Sequence, residues 1–167
     1  MESPIRPYWE TGEPPRERAV LCFILVDGRV LLIEKKRGLG AGKINGPGGR
    51  LEPGETPLQA AVRETEEEVG LTPTGTREAG SLFFQFADGH SIHCTVFTAT
   101  GSTGTLVETD EAAPFWEDTS RIPFSRMWAD DEHWFPAMLA GEPFTGYFMF
   151  EGDRMIRHDV RIVRITG

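Results

Sequence analysis

At 167 residues, with 39% hydrophobic side chains and 19 glycines, the chain has the length and apolar content of one globular domain with a sizeable core, which excludes a disordered or fibrous polypeptide. Its net charge of −9 excludes the basic footprint of a duplex nucleic-acid binder, although an acidic protein can handle a polyphosphate when metal ions mediate the contact. No apolar run reaches the length of a membrane span, the start MESPIRPYWE lacks an apolar signal core, and Cys22 and Cys94 lie in strand-like runs as small buried residues rather than a disulfide framework, so a cytoplasmic location away from membranes is expected.

Residues 1–16 carry Pro4, Pro7, Pro14 and Pro15 among scattered charges and read as a flexible N-terminal arm, with Tyr8 and Trp9 able to dock on the domain or a partner. A single domain, residues 17–167, follows. Ala19–Leu25 (AVLCFIL) and Arg29–Glu34 (RVLLIE) flank Asp27-Gly28, the signature of a β-hairpin. Their continuous rather than alternating apolarity predicts burial on both faces and a central position in a sheet. Lys35-Lys36-Arg37 then opens the loop GLGAGKINGPGG, in which glycine lets backbone approach a ligand and the basic cluster can attract phosphate; a mobile surface loop with solvated lysines fits the same residues.

The next stretch predicts a helix with defined ends. Thr56 is a good N-cap, Gln59 stands at the capping-box spacing, Pro57 falls at the first helical position and Gly70 stops the helix. Leu58, Ala61, Val62, Thr65 and Val69 form an apolar stripe predicted to face a core. Glu64, Glu67 and Glu68 share the neighbouring face. Three carboxylates there repel one another unless a cation sits between them, and a hard divalent ion such as Mg²⁺ prefers such oxygens; a solvated acidic face is the plain alternative.

Beyond it, Gly80–Phe86 and Ser91–Thr100 around Ala87-Asp88-Gly89 predict a second hairpin, and Gly101–Ala113 a loop carrying Glu108, Asp110 and Glu111. His90 and His93 lack further ligand groups nearby in sequence and read as surface or core residues rather than a metal site. Phe115-Trp116 starts another strand. A second helix is expected over Glu132–Ala140, ended by Gly141, with its regular part starting near Trp134 because of Pro136. Thr145–Glu151 and Met155–Ile165 around Gly152-Asp153 predict a third hairpin.

The pattern Gly49-x5-Glu55-x7-Arg63-Glu64-Thr65-x-Glu67-Glu68-x-Gly70-Leu71 resembles the Nudix box, with Thr65 alone departing, where a bulky aliphatic is usual. The resemblance implies an α/β fold of Nudix type, an α/β/α sandwich with a central mixed β-sheet, the box helix on one side and the second helix on the other. It implies a pyrophosphohydrolase acting on a nucleoside diphosphate linked to another moiety, with Mg²⁺ as cofactor and Mn²⁺ as a substitute. The stretches KKRGLGAGKINGPGG (35–49), VETDE (107–111), IPFSRMWADDEHWFP (122–136) and GYFMFEG (146–152) are similar to the branch of that family that hydrolyses oxidised purine nucleoside triphosphates such as 8-oxo-dGTP in nucleotide-pool sanitation.

By that resemblance the Gly48 carbonyl, Glu64, Glu67, Glu68 and Glu111 hold metal, Glu67 or Glu68 helps activate water, with Glu67 preferred, and Arg63 orients it. Lys35, Asn45 and Gly49 contact substrate, Phe84 lines the pocket, Trp128 stacks on the base, and Asp130 and Asp131 bind its polar edge. Two adjacent half-buried carboxylates tend to share a proton, presenting both donor and acceptor to an oxopurine; N-capping of the second helix is the structural alternative for this pair. Leu39 and Pro47 stand where that branch has aromatics, and Val20 where it has a hydroxyl, so the preference for oxidised over normal bases is left open. Expected partners are a small-molecule nucleotide and no nucleic-acid polymer, in a monomer. Other Nudix substrates (a normal dNTP, a dinucleoside polyphosphate, a capped RNA end) and a non-catalytic nucleotide sensor remain as alternatives.

Overall fold

The computed structural model describes residues 5–164. In chain order its elements are α1 (Tyr8–Thr11), β1 (Glu17–Val26), β2 (Arg29–Lys35), β3 (Ile44–Asn45), β4 (Gly48–Arg50), α2 (Pro57–Val69), β5 (Leu71–Thr74), β6 (Arg77–Phe86), β7 (Ser91–Ala99), β8 (Gly101–Gly104), β9 (Ala112–Asp118), a 3₁₀ turn at Phe124–Arg126, α3 (Asp131–Leu139), β10 (Phe144–Glu151) and β11 (Arg154–Ile162).

The three expected hairpins form. At the first, Asp27 and Gly28 both have positive φ, 52° and 74°, as a two-residue hairpin turn requires. β1 and β2 stay paired only at Leu25–Val30 and Val26–Arg29 and then splay apart. β1 continues between β4, antiparallel, and β7, parallel. β2 runs antiparallel to β3 and β9. With β6 parallel to β10, the result among the described residues is a mixed sheet of nine strands, in the order β11-β10-β6-β7-β1-β2-β3, with β4 on β1 and β9 on β2.

β1 shows why its apolar run is continuous. Val20, Cys22 and Ile24 face one core with Ala60, Ala61 and Val69 of α2. Phe23, between them, faces the other with Trp134 and Phe135 of α3. A central strand with a helix on each side has no solvent face to mark by polar residues. This is the expected α/β/α sandwich.

Several expectations differ from the structure in detail. Leu58 is 43% exposed, whereas Ala60, Ala61, Thr65, Glu68 and Val69 are buried. The cause is close approach: a Cβ on Gly49 would lie 2.5 Å from the Glu64 carboxyl carbon, so α2 sits directly over the glycines of β4 and turns Glu64 and Glu68 toward the sheet. Buried Thr65 satisfies its hydroxyl by donating to the Ala61 carbonyl at 2.7 Å. α3 is helical from Asp131, not only from Trp134, because a proline at the sixth helical residue removes a single intrahelical bond. The expected loop over 101–113 contains β8, which pairs with β5; this glycine- and threonine-rich strand carries no apolar period to betray it.

The expected arm also differs over its described residues. Tyr8 is buried, at 7% exposure, within α1. Isolated in sequence, it finds its partners on β6 and β7, more than 70 residues away. His93 stacks on Phe83 at 4.4 Å, and His90 lies 3.3 Å from Glu17. The expected end of the last strand at Ile165 lies outside the described residues.

Candidate active site

The ends of α2 place its carboxylates. Gln59 N–H donates to Thr56 Oγ1 at 3.2 Å and Thr56 N–H to Gln59 Oε1 at 2.9 Å, a complete capping box. Pro57 occupies the first turn, and Gly70, at φ 78°, closes the helix through its N–H to the Glu66 carbonyl.

Arg63 gathers the neighbourhood. Its guanidinium donates to both oxygens of Glu55, at 2.7 and 2.9 Å, to Glu64 at 2.8 Å, to Glu67 at 3.2 Å and to the Arg50 carbonyl at 3.0 Å. These bonds, with a further one from Glu52 N–H, hold the Glu55 carboxyl down at about 2, so it stays ionised. Arg63 thus reaches from the loop before the helix to Glu64 and Glu67, two of the three carboxylates that share its acidic face.

Buried Glu68 lies against half-buried Glu64. Burial pushes the Glu68 carboxyl up to about 8, and repulsion from Glu64 adds to the rise, opposed by the Gly48 N–H at 3.4 Å and the charge of Lys35. Burial likewise raises Glu64, against the pull of Arg63. Two such carboxyls in contact share a proton at neutral pH. Glu67 is exposed and held by Arg63, while Glu111 is held by Arg37 at 2.6 Å. As they stand, no three acidic, histidine or cysteine side chains among the described residues are gathered around one point.

The donor set nonetheless fits a hard divalent cation. It is all oxygen, and the proton shared by Glu64 and Glu68 occupies the place of positive charge that a cation would take. Gly49 leaves the space beside Glu64 that any Cβ would fill. Glu67 accepts from Arg63 through Oε2 alone, which leaves its Oε1 for a cation, and Glu111 would join by releasing Arg37. Glu64, Glu67, Glu68, Glu111, Lys35, Gly48 and Gly49 all line one open groove.

That groove runs into a deeper cavity of about 150 Å³, sharing with it Lys35, Gly48, Gly49 and Glu68. A void of this size takes an aromatic ring. Every residue expected to contact substrate lines it: Lys35, Asn45, Gly49, Phe84, Trp128, Asp130 and Asp131. Asn45 Oδ1 accepts from Gly46 N–H at 2.9 Å. Phe84 stacks on Phe148 at 5.6 Å. Trp128 stands edge-on to Phe150 at 5.4 Å, with Lys43 Nζ 5.1 Å from its ring. Gly40, at φ 81°, packs so tightly on Trp128 that a Cβ would lie 2.7 Å from Nε1. The glycine-rich loop is therefore folded back on the cavity, closed by Gly42 N–H to the Lys35 carbonyl at 2.7 Å and Lys43 N–H to the Gly40 carbonyl at 2.9 Å.

Asp130 and Asp131 are both buried. Asp130 stands at the N-cap of α3 yet makes no side-chain cap bond; its Oδ2 accepts instead from Trp134 Nε1 at 2.8 Å. Burial raises both carboxyls, and the charge of Asp130 pushes Asp131 further, well above the usual carboxylate range. Asp131 therefore carries a proton and donates to Asp130, which leaves its own buried Oδ2 without a hydrogen-bond partner. The cavity thus offers a buried carboxyl pair in which Asp131, the more strongly raised of the two, holds the shared proton.

Sequence reasoning missed Phe86, Ile92, Cys94 and Phe150 of the cavity wall. They alternate on β6, β7 and β10, but strand alternation alone does not say which face holds a cavity. Leu39 and Val20 also line it; Pro47 instead supplies a carbonyl to Cys22 N–H at 2.8 Å. A flat heteroaromatic ring with a mixed polar edge fits the cavity, and a metal-bound polyphosphate fits the groove.

A NUDIX domain family model matches residues 15–138. A zebrafish (Danio rerio) protein named oxidized purine nucleoside triphosphate hydrolase is 46% identical over 140 residues, 83% of this chain and 90% of that protein. The mouse (Mus musculus) protein of the same name is 38% identical over 145 residues, 86% of this chain and 93% of that one. Among solved structures, a mutator MutT protein from Bacillus halodurans superposes with a TM-score of 0.77 over 86% of this chain and 97% of that chain; at 24% identity this likeness speaks for the fold.

Proposed function

The chain belongs to the NUDIX family of hydrolases, and from that premise we propose that it converts oxidised purine nucleoside triphosphates such as 8-oxo-dGTP to the monophosphate and pyrophosphate, with Mg²⁺ as cofactor and Mn²⁺ as a substitute. The observation that carries the reading is the buried Asp130–Asp131 pair at the end of an aromatic cavity that opens onto the Glu64–Glu68 groove. The names of the zebrafish and mouse relatives support the substrate class.

In this reading Trp128 stacks on the base and Phe84 lines its edge. On binding, the Asp131 proton turns from Asp130 to a ring acceptor while Asp130 accepts from a ring N–H, which matches the mixed edge of an oxopurine. Lys35 and Asn45 contact the substrate at the cavity mouth. The Gly48 carbonyl, Glu64, Glu67, Glu68 and Glu111 hold the cation, which would neutralise phosphate charge and lower the pKa of a bound water. Glu67, the most exposed of the three box carboxylates, takes the proton as water adds to phosphorus and the bond to the pyrophosphate leaving group breaks. Arg63 orients Glu67. Cavity and groove are both built from one chain, which suits a monomer acting on freely diffusing nucleotides in the cytoplasm.

Pyrophosphate release from 8-oxo-dGTP, 2-hydroxy-dATP, dGTP and a dinucleoside polyphosphate tests the proposal. The oxidised nucleotides should show the higher kcat/KM, and Glu67→Gln should abolish turnover. Equal rates on dGTP and 8-oxo-dGTP would overturn the sanitising assignment, and unchanged turnover by Glu67→Gln would overturn the mechanism. Leu39 and Val20 in the cavity wall make a normal dNTP the second reading, which the same panel resolves.

A further inference from the structure

α1 lies ahead of the residues that the family model covers, so nothing in the family pattern assigns it a role. Yet its one buried side chain, Tyr8, is joined to the strands that wall the cavity. Tyr8 Oη donates to the Ile92 carbonyl at 3.1 Å. Tyr8 N–H donates to Gln85 Oε1 at 3.1 Å, and Gln85, itself 6% exposed, passes its Nε2 on to the Phe86 carbonyl at 3.0 Å and the His90 carbonyl at 3.2 Å. The Arg16 N–H, where the arm enters β1, donates to Ser91 Oγ at 2.9 Å. Every one of these bonds ends on the β6–β7 hairpin between Gln85 and Ile92.

The same hairpin presents Phe84, Phe86 and Ile92 to the cavity. Successive residues of a strand point to opposite faces, so Phe83 and Gln85 turn away from the cavity and toward the arm. There the Tyr8 ring lies 6.5 Å from Phe83, and Trp9 lies 5.4 Å from Tyr147, with an ion pair from Glu10 to Arg157 of β11. The arm thus grips the back of the wall whose front meets the ligand.

We propose that Tyr8 is a positioning residue for the nucleobase cavity, setting the β6–β7 wall through Gln85 and the Ile92 carbonyl. Without the Tyr8 side chain the Ile92 carbonyl loses a donor and α1 loses its buried anchor, so the backbone N–H that serves Gln85 Oε1 is no longer held in place and the hairpin shifts. Phe86 and Ile92 would move with it. The carboxylates of α2 are fixed separately, by the capping box and by Arg63, and would not move. Loss of Tyr8 should weaken base binding and leave the chemical step intact. This rests on the cavity being the base site.

Steady-state kinetics on the best nucleotide of the panel, with Tyr8→Phe and Tyr8→Ala in the full chain, test it beside backbone hydrogen exchange. Tyr8→Phe keeps the ring and the backbone N–H and removes only the Oη bond. KM should rise about threefold to tenfold in Tyr8→Ala and less in Tyr8→Phe, with kcat within about twofold of wild type. Amides of residues 85–92 should exchange faster while those of α2 keep wild-type rates. Unchanged KM in Tyr8→Ala, a fall in kcat instead, or faster exchange spread evenly over the domain would each overturn the proposal. If no purine nucleotide is cleaved by wild type, the function proposed above fails. The exchange pattern then still decides whether Tyr8 braces the hairpin.

Discussion

Arg63 clasps Glu55 with two hydrogen bonds, Nε to Oε2 at 2.7 Å and Nη2 to Oε1 at 2.9 Å, and from that anchored position reaches Glu64 and Glu67 with Nη1. A bidentate guanidinium–carboxylate pair fixes direction as well as distance. Glu55→Gln would keep the bulk but remove the charge and one of the two acceptors. Arg63 should then drift, and kcat should fall by about 10- to 100-fold, the usual loss when a partner of a ligand residue is removed. KM for the nucleotide should stay within about twofold, because Glu55 does not line the base cavity. Turnover equal to wild type would show that Arg63 is held without Glu55.

The Glu64–Glu68 pair couples stability to pH and to cation. Glu68 has its folded-state pKa raised from the ordinary 4.5 to about 8. Its contribution to stability is fully present below about pH 4.5 and is lost as pH rises toward about 8. The metal-free protein should therefore melt at falling temperature over that window. Mg²⁺ should reverse the loss, raising the midpoint by a few degrees at pH 8 and more there than at pH 5. Glu68→Gln should melt above wild type at pH 8 without metal and gain little from Mg²⁺. Thermal scans at the two pH values, with and without chelator, check both signs.

Asp131 follows the same sign. Its folded-state pKa lies well above the ordinary 3.8, so its burial costs stability once the unfolded chain ionises above about pH 4. Asp131→Asn removes the titration and keeps the shape. The variant should be more stable than wild type at pH 8, with the difference shrinking toward pH 4. Its amide cannot exchange protons with Asp130, so the ranking of purine substrates should change. Denaturant melts at several pH values and the nucleotide panel give the two readouts.

Trp128 faces the cavity with its edges packed on Phe86 and Phe150 and the Gly38–Gly42 loop folded against it. Removing the ring by Trp128→Ala should raise KM by about tenfold, the scale of one base–aromatic stack. Cleavage of inorganic tripolyphosphate or binding of Mg²⁺ should be nearly unchanged, since the carboxylate groove contains no part of that side chain. An equal loss in both would place Trp128 in a structural role only.

Much of this protein is written locally. The capping box at Thr56, the stop at Gly70 and the turn at Asp27-Gly28 act within a few residues, and each forms in the structure. The long spacing from Gly49 to Leu71 is likewise local, since one helix and its entry loop carry it, and it suffices for the family. Continuous apolarity in β1 announced a strand covered on both sides because a helix on each face leaves no polar alternation.

Periodicity marks a helix but does not set its rotation about its own axis; that is decided by what it packs on. The bare glycines of β4 drew α2 close, exposed Leu58 and buried Glu68 beside Glu64. Only the tertiary structure could bury Asp130 and Asp131 together, so that the Trp134 indole one turn on serves Asp130 and one Asp131 oxygen is left buried without a partner. The same holds for Tyr8, whose partners on β6 and β7 are brought within reach by the fold alone. By itself the sequence determined the family, because its box lies on one contiguous segment. What sits beside the box, and with which protons, depends on desolvation and on contacts between distant segments, and those exist only once the chain is folded.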